Sequence, residues 1–88
     1  MAAAPRIELW VDDHAEYEPG VVHGHLRHAR VPIDPEAGDW LVVGDDEDLP
    51  VLAEVLSREP DGTLRLRLLP GDPASHPEFA TRRQPSLA

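Results

Sequence analysis

Hydrophobic and polar positions alternate most cleanly near the end of a long central stretch, Gly38 to Gly71. There Leu64, Leu66 and Leu68 alternate with Thr63, Arg65 and Arg67. A period of two puts the three leucines on one face of a strand and the two guanidiniums on the other. Arg6 to Asp12 alternates as well, with Ile7, Leu9 and Val11 on one face and Arg6, Glu8, Trp10 and Asp12 on the other. Val21 to Ala29 reads as another strand, with Val22, Gly24 and Leu26 inward and His23, His25 and Arg27 outward. Gly24 has no side chain to fill its inward place, which predicts a bulge or a close crossing there. Trp40 to Val43 is apolar on both faces, the pattern of a strand covered from two sides. Pro19-Gly20 and Asp61-Gly62 mark turns, and Pro32 and Pro35 make 31–37 a loop.

The span from Asp48 to Glu59 carries two patterns. Leu49, Leu52, Ala53 and Leu56 fall at helical spacing, with Asp48 as a cap and Pro50 in a first turn. The competing pattern is a strand, Val51 to Arg58, joined to 63–69 by the loop Glu59-Pro60-Asp61-Gly62. In that register Ala53, Val55 and Ser57 face Leu68, Leu66 and Leu64, and Glu54 sits opposite Arg67. Apolar alternation and charge pairing agree on one register, which favours the strand.

The expected fold is therefore mostly β. It is a small five-stranded antiparallel SH3-like barrel or strongly bent sheet built from 6–12, 21–29, 39–44, 51–58 and 63–69, within a single domain spanning 6–72. The alternative is an α+β fold with a helix at 49–59. Beyond Gly71, Ser75 and Glu78 form a capping box, so 73–83 is expected to be a short helix (from about His76) or a docking tail. Residues 84–88 are expected to be disordered.

Composition narrows the chemistry. A chain of 88 residues supports one thin core. Seventeen acidic residues against eight arginines give a formal net charge of −9 at pH 7, which argues against direct binding to nucleic-acid phosphates. Without Cys there is neither a thiolate nucleophile nor a disulfide, and without Lys there is no Schiff base. Met1-Ala-Ala-Ala-Pro has no basic leader region, and no apolar run approaches the ~18 residues of a membrane span. A cytoplasmic protein is the simplest expectation.

The motifs W-V-D at Trp10–Asp12, G-D-W-x-V-x-G-D from Gly38, A-E-V at 53–55, D-G-T-L-R-L-R from Asp61 and L-L-P-G at 68–71 resemble an uncharacterised family of small β-rich proteins from GC-rich bacteria. The resemblance covers roughly Ile7 to Gly71 and implies a compact β fold. Its motifs are turn and strand signatures, and it implies no activity. A GC-rich genome would also account for the Arg-only basic residues and for much of the acidity.

Three constellations bear on function. His23 and His25, two apart on a strand, project from one face, and with His14 from the preceding loop they are the candidate metal ligands. The spacing lacks a fixed third ligand, so neither a metal nor any other cofactor is expected. Asp45-Asp46-Glu47-Asp48 lacks the alternate ligands and mid-loop Gly of a calcium loop and reads as a solvated tip. No hydroxyl residue lies in a nucleophile motif, so no catalytic residue is assigned and the chain is expected not to be an enzyme.

Trp10 stands on the polar face of its strand, and two placements stay open for it. It lies under Phe79 of the C-terminal segment, or it stays open beside His23, His25 and Arg27. The second placement makes Trp10, His23, His25 and Arg27 the candidate partner-binding residues. The expected function is a non-enzymatic protein–protein interaction module. The alternatives are an acidic decoy of a nucleic-acid-binding surface and a small His-based metal-binding protein.

Overall fold

The computed structural model describes residues 7–12, 18–46, 50–69, 71 and 76. The alternating stretches become β1 (Leu9–Trp10), β2 (Val21–His25), β3 (Trp40–Gly44), β4 (Val51–Arg58) and β5 (Thr63–Leu68), and a 3-10 turn, Leu26–His28, follows β2. The helical alternative for 49–59 gives way to the strand β4. The C-terminal helix expected near 76–83 lies outside the described residues except for His76, as do the tail 84–88, Phe79 and His14.

The strands form one mixed sheet in the order β1-β3-β4-β5-β2, curled into a half-barrel. Three pairings are antiparallel, but β1 runs parallel to β3, with Leu9 opposite Val43 and Trp10 opposite Gly44. The wholly antiparallel sheet expected from the sequence is thus corrected. Alternation defines faces but not direction, and a parallel pairing needs a long connection. Here the segment between β1 and β3 contains all of β2, which supplies it. Glu8 N–H donates to the Val42 carbonyl and Val11 N–H to that of Gly44, fixing the parallel ladder.

Burial follows the pattern from which the strands were read. Leu9, Val11, Val22, Leu41, Val43, Ala53, Val55, Leu64 and Leu66 form the interior of the half-barrel. Trp40, Val42 and Leu52 make a second cluster on the outer face, with Leu69 packed against it. β3 contributes to both clusters, so a strand apolar on two sides is indeed covered on two sides. His76 lies edge-on to Trp40, with ring centroids 5.8 Å apart.

The β4–β5 hairpin agrees with the expected register as far as Val55: Ala53 faces Leu68, Glu54 faces Arg67 and Val55 faces Leu66. Beyond it Ser57 pairs with Arg65 rather than with Leu64, because a bulge lies between Val55 and Ser57. The turn explains the slip. Glu59 N–H donates to the Thr63 carbonyl and Gly62, at φ 96°, closes back on Glu59, which sets the pairing at the turn one residue out of step with the core pairs. One extra residue on β4 reconciles the two.

β2 is also shorter than the expected 21–29. The His25 ring accepts from the Arg27 N–H through Nδ1 at 3.0 Å, and the Ala29 N–H returns to the Leu26 carbonyl. These local bonds compete with the ladder and turn the chain at Leu26. The chain then comes back beside β1: Leu9 bridges Ala29, and Arg30 N–H donates to the Glu8 carbonyl. The half-barrel is thus pinned at one end of a seam between its edge strands, β1 and β2. No helix among the described residues is long and apolar enough to cross a membrane.

Candidate functional site

The seam is possible because Gly24 lies within it. A Cβ at Gly24 would stand 2.9 Å from Val11 Cγ1 and 3.0 Å from Leu9 Cδ2. The side chains of Leu9 in β1 and of Val11 just beyond it therefore pass directly beneath β2, and the close crossing expected at this glycine is present. Above them a groove of about 280 Å³ opens between the edge strands, walled by Trp10 and Asp12 on one side and His23 and His25 on the other. Arg27, His28 and Thr63 complete it. The four partner-binding candidates, Trp10, His23, His25 and Arg27, are thus brought to one place.

Trp10 is half-buried. Its ring meets His28 edge to face at a centroid distance of 5.5 Å and an interplanar angle of 89°, a favoured aromatic arrangement. The same pair borders a second hollow, about 470 Å³, bounded by Trp10, His28 and Arg30. The Trp10–His28 pair is therefore a ridge between two depressions.

Charge around the ridge is distributed unevenly. Arg30 grips Asp46 through both terminal nitrogens. That hydrogen bonding holds the Asp46 carboxyl below its usual range and raises the Arg30 guanidinium. Asp46 adopts a left-handed backbone, φ 78°, which Asp tolerates better than most residues. Arg58 pairs with Asp34, Arg65 with Glu18 and Arg67 with Glu54. Arg27, exposed at the groove, is the one described arginine without a carboxylate partner among the described residues. Near the mouth, Asp61 accepts from the Thr63 N–H at 2.9 Å. That bond, then the Thr63 hydroxyl and the nearby His25, hold its carboxyl below the usual value.

Comparison with protein-family models, curated proteins and solved structures returns no match. The site is therefore read from its own geometry.

One expectation about side-chain placement is corrected. Glu8, assigned with Trp10 to the polar face, is only 1% exposed, and its Oε1 accepts from the buried Val42 N–H at 3.0 Å. His28, within the expected strand 21–29, lies instead in the 3-10 turn Leu26–His28. There its ring is set against Trp10. The His25 ring that caps this turn was the signal, but His is not a common cap. The Arg30–Asp46 pair spans two loops and left no mark on the local pattern. Of the metal candidates, His23 and His25 share the groove wall, and His14 is outside the described residues. Among the described residues, no group of three His, Asp or Glu side chains comes together that could hold a metal ion.

Proposed function

We propose that the chain is a non-enzymatic protein–protein interaction module built on an SH3-like small barrel, and that the seam groove around Trp10 is its docking surface. One observation carries the reading: a half-buried Trp at the sheet's open seam is flanked by His23, His25 and an arginine, Arg27, that has no carboxylate partner among the described residues. Trp and Arg dominate the energetics of protein interfaces, where a large amphipathic ring beside a guanidinium supplies both buried area and orientation. The net charge of −9 supports a protein partner over nucleic-acid phosphates.

Position-resolved photo-crosslinking tests this. A photoreactive residue at His23 or Arg27 should give one discrete protein adduct in a lysate of the source cells, and the same residue at Glu36 should not. Adducts that form at Glu36 and Glu59, and that disappear at high salt, would instead point to the acidic decoy, because charge-driven association weakens with ionic strength.

A further inference from the structure

Resting on the docking reading, we infer that the groove takes a peptide segment of the partner in which a carboxylate lies beside an aromatic or bulky apolar side chain, with the carboxylate on Arg27 and the apolar group against Trp10.

Five arginines are described, and four of them, Arg30, Arg58, Arg65 and Arg67, are matched one to one with Asp46, Asp34, Glu18 and Glu54. In a chain with more than twice as many acidic as basic residues, Arg27 is left without a carboxylate partner among the described residues. It also lines the same groove as the half-buried Trp10. Its backbone is held: the Arg27 N–H is bonded to His25 Nδ1, and the turn is closed by Ala29 to Leu26. An anchored main chain beneath an exposed guanidinium lowers the ordering cost of gripping a ligand carboxylate, and a planar guanidinium matches a carboxylate through two parallel hydrogen bonds.

The apolar half of the ligand follows from the ridge. The Trp10 ring is fixed edge-on by His28, so it offers a preoriented surface to a second aromatic or aliphatic group. The groove, about 280 Å³, holds one or two side chains and not a folded element. A ligand with many carboxylates is disfavoured by the −9 charge of the whole molecule. Asp12 on the groove wall argues the same way. One carboxylate matched to one guanidinium fits best.

The probes are N-acetylphenylalanine, which joins an aromatic ring to a single carboxylate, and its amide, which keeps the ring and loses the charge. Each is titrated into the isotopically labelled full chain while the Trp10 indole and Arg27 Nε–H resonances are followed. The acid is expected to move both resonances in one saturable curve, with the amide bound roughly tenfold more weakly, the usual loss for one charge-assisted contact. Arg27→Gln should bring the acid down to the level of the amide without changing the melting temperature, and Trp10→Ala should weaken both. Equal affinity for acid and amide in the unmodified chain, with Trp10 shifting in both, would overturn the carboxylate assignment and leave the docking surface standing. Binding of neither probe would also overturn it, while the crosslinking result would still decide whether the groove docks a protein. Shifts confined to Arg58, Arg65 or Arg67 would place anion binding elsewhere and overturn it as well.

Discussion

The Glu8 carboxylate takes the place of a main-chain acceptor. Its own N–H donates to the Val42 carbonyl, and its side chain then receives the Val42 N–H, so both groups of Val42 are satisfied where the short parallel ladder begins. Glu8→Ala would leave a buried donor without its partner and is expected to cost about 1–3 kcal/mol, whereas Glu8→Gln keeps an amide oxygen in place and should cost less. Urea unfolding of the two variants measures the difference, and equal losses would mean that the hydrogen bond is not what Glu8 contributes. Gly24→Ala is a second test at this scale. Its methyl would stand 2.9 Å from Val11 Cγ1 and 3.0 Å from Leu9 Cδ2, closer than carbon atoms pack, so these side chains must shift, and overpacking of this kind typically costs about 1–3 kcal/mol. Gly24 could be read from the sequence because an empty inward position in an alternating strand has few explanations. Glu8 could not, because alternation assigns a face and says nothing of a carboxylate that folds back onto a neighbouring strand.

At the scale of elements, the β4–β5 hairpin shows where pattern reading stops. Glu54 and Arg67 face each other as the alternation and charge pairing required, and cross-strand amide contacts near these residues would be seen by NMR. With Arg67 exposed to solvent and Glu54 partly so, they should couple by only about 0.2–1 kcal/mol in a double-mutant cycle. The bulge after Val55 was hidden because the turn and the core each imply a register, and the sequence does not show that the two differ by one residue. The turns also carry the acid response. Asp46 and Asp61 have carboxyl pKa values lowered from the ordinary 3.8. Both therefore favour the folded state above about pH 4, and that contribution is lost as pH falls through their lowered values. Stability measured from pH 5 to pH 2 should decline less steeply in Asp61→Asn than in the unmodified chain. Identical slopes would remove the Thr63 bond from the account. His76, the described residue beyond Gly71, packs edge-on to Trp40 on the outer face. A chain ending at Gly71 should lose about 0.5–1.5 kcal/mol, the worth of an aromatic pair, and its Trp fluorescence should redden.

For the whole molecule, the mostly-β architecture was legible because five short stretches alternate or run apolar between Gly and Pro turns. The direction of β1 and the seam were not, since both depend on which edge remains free once β3, β4, β5 and β2 have paired. The groove is a consequence of that topology. Trp10, His23, His25 and Arg27 were visible as polar-face residues on two strands, but their neighbourhood depends on β1 and β2 facing each other across a gap. The same gap weighs on the metal alternative, since His23 and His25 share its wall. Micromolar zinc near pH 7.5 is expected to leave the melting temperature almost unchanged. A shift of many degrees, abolished by His23→Ala or His25→Ala, would move the function to metal binding. The central claim is that the seam is a surface for another protein, and amide hydrogen exchange of the full chain with and without its crosslinked partner tests it most directly. Binding should slow exchange at Trp10 to Asp12 and at His23 to His28 and leave the acidic loops at Asp34 to Asp39 and Glu59 to Asp61 unchanged; slowing in those loops with none at the seam would contradict it.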